Sequence, residues 1–250
     1  MTFDFSLVLN RWDVILVIVV SLQTAILAYA ASPKAKSVMM TLPFPFTIVT
    51  LSLGLDVDAT NVLALVILFV YSHSIRLLHD RVGVPIVMAI PTGLMIYIAL
   101  GYFAAQITPR DETTFWISVV VVFLFGLGVF FGTKSRAERA HRTSLPVFVK
   151  LPIILVVVAL LVVIKGNLGG FASLFPLVSV VGSYEARYSL WMMSRTVPML
   201  MITLLPLLVT THLTQQAFGL GGGLLLGWAV FFVLLVPITM WQWRHWPDPN

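Results

Sequence analysis

Residues 196–243 read TVPMLMITLLPLLVTTHLTQQAFGLGGGLLLGWAVFFVLLVPITMWQW and contain no Asp, Glu, Lys or Arg. This stretch is too long for one membrane-spanning helix, because about 20 apolar residues are enough to cross the hydrocarbon core. Its polar interruption is TTHLTQQ at 210–216. The stretch therefore predicts two membrane-spanning helices that are joined near residues 210–216.

The rest of the sequence has the same apolar character. Of its 250 residues, 59% are hydrophobic and 10% are charged, and the mean hydropathy is +1.01. Soluble globular domains carry about 25% charged residues, so the composition excludes the soluble enzyme classes. The sequence contains no Cys, which excludes disulfides, thiolate catalysis and Cys-ligated metals.

Uncharged runs divide the whole chain into predicted spans. Most of them are close to the length of roughly 17–25 residues that a spanning helix needs. The predicted spans are 14–31, 38–55, 60–75, 84–107, 115–133, 147–164, 168–184, 189–209 and 217–241. The predicted fold class is therefore all-α, a polytopic membrane helical bundle with about nine transmembrane helices.

Lys and Arg segregate between the two sides that these crossings define. Of the 15 Lys and Arg residues, only Arg11, Arg110 and Lys165 fall on the side of the N-terminus. Cytoplasmic loops of membrane proteins are enriched in Lys and Arg. We therefore expect the N-terminus outside and the C-terminus in the cytoplasm. The net charge of +5 is explained by this topology, and we expect no nucleic-acid partner.

The two halves of the chain share an internal repeat. A constant offset superposes Lys34 on Lys165, Phe44 on Phe175, Pro45 on Pro176 and Ser52 on Ser183. The predicted organisation is a first four-helix repeat at 12–108, a linker transmembrane helix at 113–133 and a second four-helix repeat at 145–243. Because one helix separates two sets of four, the second repeat is inverted relative to the first. Inverted repeats are typical of secondary transporters.

The second repeat carries residues that are shared with a known family. They are Leu174-Phe175-Pro176, Gly182-Ser183-Tyr184-Glu185, Arg195 and Gly227-Trp228. Through them, the stretch from about 145 to 241 resembles the GlpM-type small bacterial inner-membrane proteins, which consist of one four-helix unit. The first half matches weakly, through Pro43-Phe44-Pro45. The resemblance implies a bacterial inner-membrane location and a link to glycerol metabolism or exopolysaccharide production, and it implies no established reaction or substrate.

Prolines lie early in two equivalent spans. Pro43 and Pro45 are in the second span and Pro176 is in the seventh. Proline removes a backbone donor and clashes with the preceding turn, so a proline within a helix interrupts it. A matched pair of interrupted helices indicates a transport site, for which Pro45 and Pro176 are the candidate residues. The alternative is that these prolines simply begin their helices, where proline is well tolerated.

Three ionisable residues within or next to the spans are further candidates for the substrate site. Arg195 lies inside the eighth span and Glu185 follows the seventh, so an ion pair across the connecting turn is predicted. Their functional roles would be an anion anchor and a proton-coupling carboxylate. The alternative is that Arg195 extends to the cytoplasmic surface and forms a structural salt bridge. His73 is either a proton carrier or a hydrogen-bonded residue of the bundle.

Other polar and small residues in the spans have two interpretations each. Gln23 in the first span predicts an interhelical hydrogen bond or a position along a substrate path. Gly219, Gly223 and Gly227 have the small-xxx-small spacing that allows close helix approach. They predict either packing inside the bundle or pairing with a second subunit.

The leading functional hypothesis is a small secondary transporter or lipid translocator with a midplane site formed by the second, third, seventh and eighth spans. Its expected partners are membrane lipids, a small-molecule or lipid substrate, and either a second copy of the chain or a partner in a membrane complex. The alternative is a non-transporting subunit that scaffolds a cell-envelope or respiratory complex, which the scarcity of charge in the spans favours. No HExxH, GxSxG or GKS/T motif is present, so we expect no enzymatic activity, no cofactor and no metal.

Overall fold

The computed structural model describes residues 11–29, 38–133 and 147–244, and within these ranges the regular elements are all helical. The α-helices are α1 (Arg11–Tyr29), α2 (Phe44–Leu53), α3 (Ala59–Arg76), α4 (Ile86–Ile107), α5 (Glu112–Gly132), α6 (Val147–Leu168), α7 (Leu177–Glu185) and α8 (Leu190–Arg244). A π-helix, Leu77–Arg81, extends α3, and a 3-10 helix, Gly169–Leu174, follows α6. The predicted all-α fold class is confirmed.

Several of these helices have the length and composition of membrane spans. Among the described residues they are Ala59–Arg81, Ile86–Ile107, Glu112–Gly132, Pro152–Leu174 and Met193–Trp241. Large apolar side chains lie on the outer surface of the bundle, such as Phe131, which is 68% exposed, and Val233, which is 72% exposed. Such a surface suits lipid rather than water, so the chain has the features of an integral membrane protein.

Helix α8 is a hairpin of two arms. Gly219 divides it with a non-helical conformation (φ 70°, ψ 167°). The second arm returns antiparallel to the first, because a side chain at Gly223 would touch Thr211, and one at Gly227 would touch both Thr211 and Leu207. The sequence predicted two helices joined at 210–216, whereas the helix continues through these residues and breaks at Gly219. Gly223 and Gly227 pack inside the bundle, as one of their two interpretations expects.

Aspartates begin two of the long helices. The Asp58 side chain accepts a hydrogen bond from the Thr60 N–H (2.8 Å), and Asn61 Oδ1 accepts one from the Asp58 N–H (2.9 Å). Asp111 precedes α5 and accepts hydrogen bonds from the N–H (2.9 Å) and the hydroxyl (2.8 Å) of Thr114. These bonds to the charged form lower the pKa of the Asp111 carboxyl. Both caps fix the residue at which a helix begins.

Two predicted spans are not continuous helices, and this corrects the prediction for 38–55 and 168–184. The first broken segment, 38–53, has a helical turn at 38–41, a break at residues 42 and 43, and then α2. The second broken segment, 169–185, has the 3-10 helix, a break at residues 175 and 176, and then α7. The prolines therefore both interrupt a segment and begin the helix that follows.

The two breaks have the same local geometry. Pro43 is the N-cap of α2 with φ −85° and ψ 37°, and Pro176 is the N-cap of α7 with φ −75° and ψ 49°. The carbonyl of Pro43 accepts from the N–H of Thr47 (3.0 Å), and that of Pro176 accepts from the N–H of Val180 (3.1 Å). In the structure Pro43 is therefore equivalent to Pro176, whereas the sequence offset had placed Pro45 there.

The two short helices run in opposite directions. At one end of the bundle, which we call the Asp13 end, Ser52 near the C-terminus of α2 bonds Asp13. At the other end, which we call the Arg76 end, the Arg76 guanidinium lies 4.5 Å from the ring centroid of Trp191 at the start of α8. Helix α2 runs towards the Asp13 end, and α7 leads to the Arg76 end, because α8 follows it. With 10 and 9 residues, each is about 15 Å long, half of a ~30 Å hydrocarbon core.

The turn of the α8 hairpin provides a test of this fold. Replacing Gly219 with alanine (Gly219→Ala) places a Cβ in a backbone conformation that is almost restricted to glycine, so we expect a loss of about 1–3 kcal/mol of stability. Gly221→Ala is the matched control, because that glycine has open space around it and alanine favours helix by about 1 kcal/mol. Thermal unfolding of the purified variants in detergent measures both. Equal melting temperatures for Gly219→Ala and the unchanged protein would contradict the hairpin.

Candidate functional site

A cleft lies between the two breaks. Its empty volume is about 430 Å³, part of it open to the outside. The first broken segment lines it with Met40, Thr41, Leu42, Pro43, Pro45 and Phe46, and the second with Ser173, Leu174, Phe175, Pro176, Leu177, Val178 and Ser179. Gln23, Leu68 and Leu200 complete the lining. Leu68 lies in the middle of α3, so the cleft is near the mid-depth of the bundle.

Both short helices begin at this cleft without a side-chain cap. The first N–H groups of a helix have no partner within the helix, and they give its N-terminus a partial positive charge. Helices α2 and α7 thus bring two such ends to the same cleft from opposite directions. Among the described side chains that line the cleft, none is Asp, Glu, Lys, Arg or His, so the helix ends are the charged features of this described lining.

Gln23 of α1 bonds the first break. Its Nε2 donates to the carbonyl oxygens of Met39 (2.7 Å) and Leu42 (3.2 Å). These carbonyls lie where the helix is interrupted, so the amide replaces backbone hydrogen bonds that the break removes. The Gln23 side chain is 5% exposed, and its Oε1 has no hydrogen-bond partner among the described residues. Gln23 therefore has an unused acceptor and lines the cleft.

Side chains of α3 and α4 bond the 3-10 helix that precedes the second break. Asn61 Nδ2 donates to the Gly170 carbonyl (3.2 Å) and to Ser173 Oγ (3.0 Å), and the Tyr97 hydroxyl donates to the Phe171 carbonyl (2.8 Å). The whole 3-10 helix is buried. Irregular backbone at membrane depth is tolerated where it is buried in protein or faces a cavity, and both conditions hold here.

The structure brings Pro45 and Pro176 together at the cleft, but it places the three ionisable candidates elsewhere. Arg195, Glu185 and His73 are absent from the lining. The guanidinium carbon of Arg195 lies 5.9 Å from the ring centroid of Phe130. The Arg195–Glu185 pair stays a prediction.

Glu185 and His73 both lie within the packed bundle. Glu185 is fully buried at the end of α7. His73 Nδ1 lies 3.0 Å from the Phe69 carbonyl oxygen, and the two rings are 3.8 Å apart. The contacts of His73 are those of a hydrogen-bonded residue of the bundle, which was one of its two interpretations. A role in substrate binding stays a prediction for both.

Sequence reasoning missed a buried ion pair at the Asp13 end. Lys165 Nζ lies 2.6 Å from Asp13 Oδ1 and 2.6 Å from Ser52 Oγ, and Ser52 Oγ lies 2.7 Å from Asp13 Oδ1. The side chains of Asp13 and Lys165 are 2% and 13% exposed. The signal was present, because both charges fall at span ends on the same predicted side. The cluster joins α1 and α2 to α6.

A second set of polar contacts at this end holds the loop before α3. His212 Nδ1 lies 2.7 Å from the Val57 carbonyl oxygen, and its Nε2 lies 2.9 Å from Glu112 Oε2. Gln215 accepts from the Val57 N–H (2.8 Å) and donates to its carbonyl (3.2 Å). These contacts join the end of the first arm of α8 to the start of α5 and to Val57.

Comparisons of the chain with protein-family models, with curated proteins and with solved structures gave no significant match. A proposal for the function of this chain therefore rests on its own geometry. That geometry is a mid-depth cleft between two opposed, interrupted helices, with an ion pair between elements of the two predicted repeats at one end.

The buried ion pair makes a clear prediction for stability. Lys165→Met removes the lysine that lies against the buried Asp13 carboxylate, so we expect a loss of about 3–5 kcal/mol. Adding Asp13→Asn in the same chain should restore part of the loss, because the carboxylate charge is also removed. Thermal unfolding in detergent of the single and double variants measures the coupling.

Arg110→Met is the control for that experiment. Arg110 Nε lies 3.7 Å from Asp58 Oδ2, and its side chain is 53% exposed, so its loss should cost less than about 1 kcal/mol. If Lys165→Met and Arg110→Met had equally small effects, the Lys165–Asp13 pair would not stabilise the bundle.

Proposed function

We propose that this chain is a small secondary transporter, and that the cleft between the two broken segments is its substrate site. The observation that carries the proposal is the meeting of two interrupted helices of opposite direction at mid-depth. Secondary transporters place their sites at such points, between discontinuous helices of inverted repeats. The lining comes from the second, third, seventh and eighth predicted spans, with Gln23 added from the first.

The order of the helices supports nine crossings when each broken segment counts as one. The first repeat is then α1, the segment 38–53, α3 and α4, and the second is α6, the segment 169–185 and the two arms of α8. Helix α5 is the linker. The proposed location is the bacterial inner membrane with the N-terminus outside, which the distribution of Lys and Arg supports. The resemblance of 145–241 to GlpM-type proteins stays a prediction on which this proposal does not depend.

Contacts between the proposed repeats define a gate. The Asp13–Lys165 pair (2.6 Å) and the bond from Asn61 to the Gly170 carbonyl (3.2 Å) both join one repeat to the other near the Asp13 end. Rocking of one repeat against the other would open this end only after these contacts separate. Helices α2 and α7 begin at the cleft and end at opposite ends of the bundle. A tilt of one repeat against the other would therefore open the cleft to one side of the membrane while closing it to the other.

Flux measurements in liposomes test the proposal. The purified protein should move at least one solute of a panel of small anions, cations, neutral metabolites and lipids faster than empty liposomes do. Ser179→Phe fills the cleft, so we expect it to reduce that flux to the level of empty liposomes. Thr92→Phe is the control, because Thr92 lies on the exposed face of α4.

Two results would contradict a transporter. One is the absence of flux for every solute tested, and the other is a flux that Ser179→Phe leaves unchanged. Purification from native membranes then tests the alternative function, because a scaffold subunit should bring a stoichiometric partner with it.

A further inference from the structure

We propose that the cleft binds a small organic anion that also carries a hydrogen-bond donor, held between the N-terminus of α7 and Oε1 of Gln23. The location of this site rests on the proposed transport function. The inference adds the chemical class of the ligand and the groups that recognise it.

The N-terminus of α7 supplies donors that nothing else in the described chain uses. The Leu177 N–H donates to the Phe175 carbonyl (2.7 Å), and the Val180 N–H donates to the Pro176 carbonyl (3.1 Å). The amides of Val178 and Ser179 lie between them, with no side-chain cap, and both residues line the cleft. Unpaired N–H groups at a helix start form an anion site.

The second helix end strengthens the preference for negative charge. Helix α2 also begins at the cleft and has no side-chain cap. Each helix end is equivalent to about half a positive elementary charge, and the lining residues that the structure describes include no ionisable side chain that would oppose or screen it. Two positive ends in an apolar cleft attract an anion and disfavour a cation.

Gln23 adds a requirement for a donor on the ligand. The side chain is 95% buried, its Nε2 is occupied by the carbonyls of Met39 and Leu42, and its Oε1 lacks a partner among the described residues. A buried acceptor that lacks a partner is costly, so a ligand hydroxyl or ammonium group that donates to Oε1 gains affinity. The helix ends recognise charge, and Gln23 recognises the donor.

Three probes of similar size separate these two features. Lactate carries a carboxylate and a hydroxyl, propionate carries the carboxylate alone, and lactamide is the uncharged amide of lactate. Equilibrium binding of each to the purified protein in lipid nanodiscs should give the affinity order lactate, propionate, lactamide. We expect lactate to bind about tenfold more tightly than propionate, the effect of one hydrogen bond to a buried acceptor.

Two variants assign the features to residues. Val178→Pro removes one amide donor at the second position of α7, where α2 already has Pro45, so the helix should tolerate it. It should weaken lactate and propionate alike by about tenfold. Val87→Pro is the control, because Val87 is the second residue of α4 and lies 63% exposed away from the cleft, so both affinities should stay unchanged. Gln23→Leu removes Oε1 and should reduce lactate affinity to that of propionate. This variant also loses the two hydrogen bonds from Nε2, so its readout is the ratio of the lactate and propionate affinities, and Val178→Pro provides the test if Gln23→Leu does not fold.

The outcomes separate this inference from the proposed function. Lactamide binding as tightly as lactate, unchanged lactate binding in Val178→Pro, or no saturable binding of lactate and propionate would overturn the inference. Flux of neutral or cationic solutes that Ser179→Phe blocks would leave a transporter without an anion site. The predicted binding order in a protein that shows no flux would instead leave an anion site without transport.

Discussion

Every interruption of a helix within an apolar bundle leaves backbone groups that need partners, and this constraint organises the centre of the molecule. Gln23 bonds carbonyls at the break before α2, and Asn61 and Tyr97 bond carbonyls of the 3-10 helix that leads to the break before α7. Since unsatisfied backbone groups cost several kcal/mol in hydrocarbon, these side chains stabilise the irregular backbone. We propose that the N–H groups at the two helix starts give the cleft its chemistry.

The same breaks connect structure to the proposed transport. Two continuous helices would fill the middle of the bundle, whereas two half-length helices that point to opposite ends leave a cleft where they begin. Polar contacts then collect at the Asp13 end, where Lys165 and Asp13 join elements of the two proposed repeats. In the proposed transport cycle, these contacts would have to separate before the bundle opens at that end.

Much of this fold follows from the sequence, because apolar runs and polar loops determine helices locally. The long helices, the division of 196–243 into two helices and the interruption at Pro176 were predicted. The hairpin turn, however, lies at Gly219, and the equivalent of Pro176 is Pro43. The site was harder to predict. Gln23 donates hydrogen bonds to the carbonyls of Met39 and Leu42, and these carbonyls are available only because the helix is interrupted there. The Asp13–Lys165 pair depends on packing between distant segments, which no local pattern contains.

If the cleft is a transport site, solvent must reach the point where the two broken segments meet. Because the chain has no Cys, single cysteines introduced at Met40 and Ser179 in the cleft, and at Phe103 and Val233 on the outer surface, are matched reporters. We predict that a small charged thiol reagent modifies the cleft cysteines in native membranes and leaves the two outer ones unmodified. Unreactive cysteines at both Met40 and Ser179, or equal modification of all four positions, would contradict it.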